Sequence, residues 1–285
     1  MSVLTIVGTP IGNLEDISAR ALRILREVSL IAAEDTRVTR HLCARYDIHT
    51  PLTSFTDAYD RRQSGRLHHV LEALDSGQDV ALVSDAGMPG ISDPGYVLIQ
   101  AALAAGHRVE VVPGPSAITT ALVGSGLPSD RFLFVGFLPR KAGERRALLA
   151  ELAAEPGTLV AFEAPHRLLD ALDDLLATLG DRPVAVAREL TKRFEEIWRG
   201  SVSGAKDYYA QHPAKGEITL VVAGAGRPRS TTGWPEPEVR KGVALLAEEG
   251  LSPAATARVI ARLAGWSRSD VYDLVVGDKG EDERN

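Results

Sequence analysis

The chain has 285 residues, of which 45% are apolar and 25% charged, and carries a formal net charge of −6 at pH 7. This mix excludes disorder or collagen-like structure for most of the chain, and the length sets an expectation of about two domains. The acidic total excludes a molecule coated in positive charge, although a nucleic-acid partner needs only a local basic face. One cysteine, Cys43, permits no internal disulfide and fits a reducing compartment. It also excludes a cysteine-based zinc site, which needs more thiolates. The N-terminus lacks the basic start and long apolar run of a signal peptide, and no stretch reaches the roughly 18 apolar residues of a membrane-spanning helix. A soluble cytoplasmic protein is expected.

Residues 4–7 are a predicted strand. Residues 17–28 are a predicted helix, with Leu22, Leu25 and Val28 at helical spacing and Asp16 as its cap. A strand at 30–33 runs into Glu34-Asp35-Thr36-Arg37, with a helix at 39–45. A helix at 67–74 precedes a strand at 80–83, which ends at Ser84-Asp85-Ala86-Gly87. A helix at 96–105 precedes a strand at 108–112, which ends at Pro113-Gly114-Pro115. This alternation predicts a mainly parallel sheet with helices on its faces. A second set follows Pro128, with strands at 132–137, 158–162, 184–187 and 216–223 and helices at 145–154 and 168–179. The expected fold class is therefore α/β, with two α/β domains, residues 1–113 and 114–226, meeting near 113–127.

Residues 227–237 read as a linker rich in proline and glycine. Residues 238–279 then read as a small C-terminal unit of three helices. The first, 238–249, is closed by Gly250. The second, 253–263, is capped by Ser252, with Pro253 at the first helical position, where its missing N–H costs nothing. The third carries Val271, Tyr272 and Leu274 behind Ser267 or Ser269. Tight turns fit a helix-turn-helix-like unit or, equally, a plain helical cap. The charged tail, 280–285, is expected to fray.

Ligands of open α/β sheets bind beyond the carboxyl ends of strands. The first such loop, Gly8-Thr9-Pro10-Ile11-Gly12-Asn13, has glycines that allow close backbone approach. It matches neither the dinucleotide fingerprint nor a P-loop, and a plain strand-to-helix turn is the alternative. The second, residues 84–95, holds three glycines, two prolines and two aspartates in twelve residues. A simple turn is shorter, so this loop is read as functional. The third, Val112-Pro113-Gly114-Pro115-Ser116-Ala117, is rigid and then helix-capping.

These loops occur in order with several further motifs: Ala33-Glu34-Asp35-Thr36-Arg37, Gly126-Leu127-Pro128-Ser129-Asp130-Arg131-Phe132, Gly136-Phe137-Leu138-Pro139, Glu163-Ala164-Pro165-His166-Arg167-Leu168 and Ala187-Arg188-Glu189-Leu190-Thr191-Lys192. Over roughly residues 4–223 the chain resembles the tetrapyrrole methylase-like superfamily of S-adenosylmethionine-dependent methyltransferases. It is most similar to the branch that methylates the ribose 2′-oxygen of a cytidine in 16S rRNA, and its C-terminal helices resemble that branch's tail. The resemblance implies a cofactor cleft between the two α/β domains, with S-adenosylmethionine bound in a folded shape. It implies cofactor contacts from Gly8, Ile11, Asp85, Ala86, Gly87, Gly90, Ser116, Ala117, Glu163, Ala164 and Leu190. It also implies a homodimer that acts on 16S rRNA, within the 30S subunit, and no membrane. In one respect the chain departs from the branch, which tends to carry a histidine-rich stretch after the position of Leu52. Here Ser54-Phe55-Thr56-Asp57-Ala58-Tyr59-Asp60 has no histidine.

A ribose hydroxyl is a poor nucleophile, so positioning and a general base within hydrogen-bond reach are the chemistry to look for. The candidate catalytic residues are Asp35, Arg37, Glu163 and Lys192. Glu34 and Asp35 end a strand, so one of them should project into the cleft; an Asp35–Arg37 ion pair shaping the loop is the alternative. Glu163 stands beside His166, itself a base or a capping histidine. Lys192 is a base if its pKa is lowered, or part of an ion-pair network with Arg188 and Glu189. His68, His69 and His107 are expected at the surface, and Trp198, Trp234 and Trp266 as packing anchors. Basic clusters that could meet RNA are Arg37, Arg40 and Arg45; Arg61 and Arg62; Arg140, Lys141, Arg145 and Arg146; Arg227 and Arg229; and Arg258, Arg262 and Arg268. Two other functions fit less well: a tetrapyrrole C-methyltransferase, and a non-enzymatic RNA-binding assembly factor.

Overall fold

The computed structural model describes residues 2–56, 61–225 and 234–277, and the chain divides into two units, Met1–Ala225 and Gly226–Asn285. The first unit begins with β1 (Val3–Val7), α1 (Ala19–Glu27), β2 (Leu30–Ala33), α2 (Thr36–Arg45), β3 (Leu52–Ser54), α3 (Arg61–Asp75), β4 (Val80–Val83), α4 (Gly95–Ala104), β5 (Arg108–Val112) and α5 (Ala117–Ser125). Its strands form a parallel sheet in the order β3-β2-β4-β1-β5. Side chains alternate along each strand. Leu4, Leu30, Ala32, Val80 and Leu82 face one core, and Val7, Ile31, Ala33, Ala81 and Val83 face the other. Both faces are therefore covered, which is what lets the strands be near-continuous apolar runs.

The same unit continues with β6 (Phe132–Phe137), α6 (Ala142–Glu151), β7 (Thr158–Glu163), α7 (Leu168–Leu179), β8 (Pro183–Arg188), β9 (Glu196–Ser201), α8 (Val202–Gln211) and β10 (Ile218–Val222). These strands form a second sheet, ordered β6-β7-β10-β8-β9. Unlike the first sheet, this one is mixed. β6 and β7 are parallel, but β10 lies antiparallel between β7 and β8, and β9 pairs antiparallel with β8. The cause is a hairpin: β8 turns straight back into β9, so the crossover through α8 delivers β10 in the opposite sense to β8. Small residues on β8, Ala185 and Ala187, leave room for α5 against the inner face.

Local chemistry also shifts several helix starts. α1 is capped by Ser18, whose hydroxyl accepts from the Ala21 N–H at 3.1 Å; the expected cap, Asp16, instead belongs to a short 3-10 turn capped by Asn13. α2 begins three residues earlier than expected because the Asp35 carboxylate accepts the Arg37 N–H at 2.8 Å. β3, β9 and α8 were not expected from the sequence. β3 is three residues long and β9 lies at a sheet edge, where patterning is weak.

Behind the second sheet, Arg145 is buried and bonds Asp174, with Nε 2.7 Å and Nη2 2.6 Å from Oδ2. Its Nη1 donates to Pro139 O at 3.3 Å, which anchors the loop after β6. Arg145 is thus a structural residue and leaves the RNA-facing cluster in which the sequence placed it. His107 is also not a surface residue: its side chain is 11% exposed, with Nε2 3.0 Å from Asp75 Oδ1.

In the second unit, α9 (Glu236–Glu248), α10 (Pro253–Ala264) and α11 (Arg268–Gly277) pack around Val239, Val243, Ile260, Trp266 and Val271. Ser252 caps α10, and the Ser267 hydroxyl accepts the Asp270 N–H at 3.1 Å at the start of α11. Trp266 Nε1 donates to Trp234 O at 2.9 Å, so Trp266 acts as an anchor. Trp198, in the first unit, packs on Tyr208 and Tyr209. Most of the expected linker, 226–233, and the tail, 278–285, lie outside the described residues. So do Arg227 and Arg229 and the side chains of Arg61 and Arg62.

An Arg145→Met substitution removes the buried partner of Asp174 and leaves it only Arg146, 3.7 Å away, so urea unfolding should show a loss of about 3–5 kcal/mol. The double variant Arg145→Met/Asp174→Leu should recover most of it. Equal losses in both variants would show that the unpaired carboxylate is not what destabilises the single variant.

Candidate active site

The three glycine loops converge by direct backbone contact. The Gly8 N–H donates to Val112 O at 3.1 Å, and Thr9 and Gly87 exchange two backbone bonds of 2.9 and 3.1 Å. A Cβ placed on Gly8 would lie 2.7 Å from Gly114 Cα, and one on Gly114 would lie 2.8 Å from the Gly8 carbonyl carbon. No side chain fits at either position, so glycine is required here for space. Gly90 does not line the cleft. Its N–H donates to both Asp93 carboxylate oxygens, at 2.8 and 2.9 Å, and so folds the second loop.

Above this contact lies a cavity of about 440 Å³, within the range of small-molecule sites. Its apolar walls include Ile11, Ile91, Phe137, Phe162 and Leu190. Five carboxylate residues line it: Glu34, Asp85, Asp93, Glu163 and Glu217. Among its described lining residues there is no lysine, arginine or histidine. A cavity of this polarity repels phosphates and favours a cation.

Each acid is held differently. Glu34 Oε2 accepts the Asp85 N–H at 3.0 Å, and Asp85 Oδ1 accepts the Asp35 N–H at 2.9 Å. Burial raises the Glu34 pKa; the Asp85 N–H opposes this, but the nearby charges of Asp85, Asp93 and Asp35 reinforce it. Asp85 is raised as well, mainly by burial. The Glu163 side chain is fully buried. Its Oε1 is ion-paired to Arg167 and accepts the Ala164 N–H at 2.7 Å. Its Oε2 is buried and has no hydrogen-bond partner among the described residues.

Leu190 enters the cavity from a strained turn, with Glu189 at φ 49° and Thr191 at φ 66°. Thr191 Oγ1 accepts the Asn13 N–H at 3.0 Å, tying this turn to the first loop. A second cavity of about 380 Å³ adjoins the first and shares Ile11, Ser84, Asp85, Ala86 and Glu217 with it.

A family model described as tetrapyrrole (corrin/porphyrin) methylases matches residues 3–206. The chain belongs to the tetrapyrrole methylase family. Among its relatives, a protein named ribosomal RNA small subunit methyltransferase I from Synechocystis is 44% identical over 275 residues, 96% of this chain and 97% of the relative. One of the same name from Thermotoga maritima is 51% identical over 224 residues, 79% of this chain and 99% of its own. A uroporphyrin-III-C-methyltransferase from Thermus thermophilus shares the fold, with a TM-score of 0.56 at 20% identity over 80% of this chain and 95% of its own.

Within this methylase fold, the residues singled out in the sequence divide into three groups. Ile11, Asp85, Ala86, Gly87, Ser116, Ala117, Glu163, Ala164 and Leu190 all line the first cavity. Gly8 and Gly90 shape it from behind. Asp35, Arg37 and Lys192 do not line it. Asp35 caps α2 and pairs with Arg37 at 2.6 Å. The Arg37 guanidinium and backbone N–H hold its carboxyl at a pKa of about 2, too acidic for a useful base. The strand-end residue that projects into the cavity is Glu34. Lys192 lines the second cavity, its Nζ 3.0 Å from both Glu189 Oε1 and Glu217 Oε2. Burial opposes its charge, but these two carboxylates outweigh burial and raise its pKa. Lys192 is thus held as a cation by its carboxylate partners. His166 is exposed and lines a separate surface depression with Tyr209. Phe162, Asp93 and Glu217 were missed. Asp93 lay in a loop already marked as functional, whereas Glu217 precedes a strand and carried no signal.

Carbon-detected NMR titration should separate the adjacent acids, with Asp35 titrating at about 2 and Glu34 above its ordinary value. Asp35 then adds stability that is present above the ordinary carboxylate pKa and lost as pH falls through about 2. Glu34 works the other way, costing stability as pH rises towards its raised pKa. Arg37→Ala should move Asp35 upward; an unmoved Asp35 would mean that the ion pair is absent in solution.

Proposed function

We propose that this chain transfers a methyl group from S-adenosylmethionine to the ribose 2′-oxygen of a cytidine in 16S rRNA, acting on the 30S subunit as a cytoplasmic homodimer. The observation that carries this reading is the first cavity, with five carboxylates and no basic side chain among its described lining residues. S-adenosylmethionine is an adenosyl ligand with a sulfonium and an ammonium, so the fit is to a cation rather than to a dinucleotide. The named relatives supply the substrate class. The exposed apolar side chains Val123, Phe132 and Leu133 offer surface to a second copy.

The donor, when bound, supplies an electrophilic methyl group. The chain's residues hold and shield it. Glu34 and Asp85 line the cavity and would face the donor's positive charge. The N-terminus of α5 makes no side-chain cap through Ser116, which leaves first-turn N–H groups for a carboxylate. Ile11, Phe162 and Leu190 exclude water. Asp85 stands where the two cavities meet, and its raised pKa suits it to take up the 2′-hydroxyl proton.

The reading is tested by incubating the protein with methyl-labelled donor and undermethylated 30S subunits, naked 16S rRNA or a tetrapyrrole. Label is expected at a cytidine 2′-oxygen in the subunit; label in the tetrapyrrole but not in RNA would reject the proposal. Asp85→Asn should lower kcat by about 10²–10⁴. The wild-type rate should rise with pH through the raised Asp85 pKa and then level off. Full turnover by Asp85→Asn would remove it as the base.

A further inference from the structure

The second cavity differs in chemistry from the first. Pro10, Leu14, Val38 and Leu42 give it apolar walls, and its polar groups include His41, Lys192 and Glu217. At about 380 Å³ it is large enough for one nucleoside. It meets the first cavity across Ile11, Asp85 and Ala86, so a group in one lies next to a group in the other. Both open at strand ends, in a concave site that a paired RNA helix cannot enter. A nucleotide must leave its stack to reach such a position.

The helix that walls this cavity, α2, is basic on its exposed face. α2 contributes Val38 and His41 to the wall. Arg37, His41 and Arg45 follow at four-residue intervals and share one face of the helix, with Arg40 beside them. All four are exposed, and α2 has no acidic residue among Thr36–Arg45. A helix face of this kind suits an RNA backbone running past the opening.

Inside, Lys192 Nζ and Glu217 Oε2 stand 3.0 Å apart. Glu189 holds the ammonium from its other side, while the Glu217 side chain is 76% exposed. A cation and a carboxylate side by side present a donor next to an acceptor. Cytosine complements that order: its N4 amino group donates and its N3 and O2 accept. Uracil inverts it, with O4 accepting and N3–H donating.

Resting on the function proposed above, we infer that this second cavity receives the acceptor nucleotide flipped out of the RNA, and that Lys192 and Glu217 read its base as cytosine. Lys192 thereby has a role without acting as a base: its fixed charge supplies the donor half of the pair. Glu217 lines both cavities, so base recognition is placed beside the methyl donor.

Two variants test this with 30S subunits reconstituted from 16S transcripts that carry cytidine or uridine at the mapped target. Val38 is exposed and lines the second cavity but not the first. Val38→Trp should keep donor affinity, measured by calorimetry with S-adenosylmethionine, and lose at least tenfold in methyl transfer. Glu217→Gln offers an amide that can accept or donate. Its preference for cytidine over uridine, as a ratio of kcat/KM, should fall by roughly tenfold or more. Wild-type transfer by Val38→Trp, or an unchanged preference in Glu217→Gln, would overturn the assignment. Wild-type protein that labels no RNA at all would instead overturn the function on which it rests.

Discussion

Gly8 and Gly114 touch backbone to backbone, and the architecture of the site follows from that contact. β1 and β5 are neighbours in the first sheet, so the loops that leave their ends must pass each other. A Cβ on either glycine would fall 2.7–2.8 Å from the other's backbone. With both absent, the loops lie flat against each other and the Thr9–Gly87 bridge brings in the third. α5 then starts at Ala117 and packs its buried side against the second sheet. Its first turn and the ends of β7 and β8 therefore face the same space as the glycine loops. A cavity with walls from both sheets is the result.

Charge is distributed by purpose rather than by total. The first cavity gathers carboxylates whose own burial opposes their ionisation, as the raised Glu34 and Asp85 show. Such a cluster is unfavourable unless a cation joins it. The face of α2 beside the second cavity is basic. A net charge of −6 is therefore the sum of an acidic pocket, a basic helix face and an ordinary mixed surface. Asp35 belongs to the scaffold of this arrangement, and Arg37 and Lys192 are held in place by carboxylate partners. They carry the charges that a sequence reading notices first, yet paired partners hold each in a fixed state.

Much of this was legible in the residues. Apolar runs at 30–33 and 80–83 and the glycine-proline loops located the parallel sheet and the cavity beyond it, because parallel strands are patterned by burial on both faces. Legibility failed where tertiary context decides. β10 runs opposite to its neighbours, so its beginning, and not its end, opens on the site. A search beyond strand ends therefore passed over Glu217. The choice between Glu34 and Asp35 turned on which way a strand-end residue points, and only the capping bond of Asp35 to α2 resolves it. Lys192 was read for its charge, but the 3.0 Å contacts to Glu189 and Glu217 come from residues 3 and 25 positions away. His107 and Arg145 look like surface residues in sequence, yet His107 is half-buried beside Asp75, 32 positions away, and Arg145 is buried against Asp174, 29 positions away.

The proposed donor site is the glycine-loop cavity, taking a positively charged adenosyl ligand. Calorimetric titration of the purified protein with S-adenosylmethionine, ATP and NAD tests it most directly. S-adenosylmethionine should bind at one site per chain, and Glu34→Gln should weaken it, while ATP and NAD should give no binding heat. Binding of ATP or NAD in this cavity, or failure of S-adenosylmethionine to bind, would contradict the account.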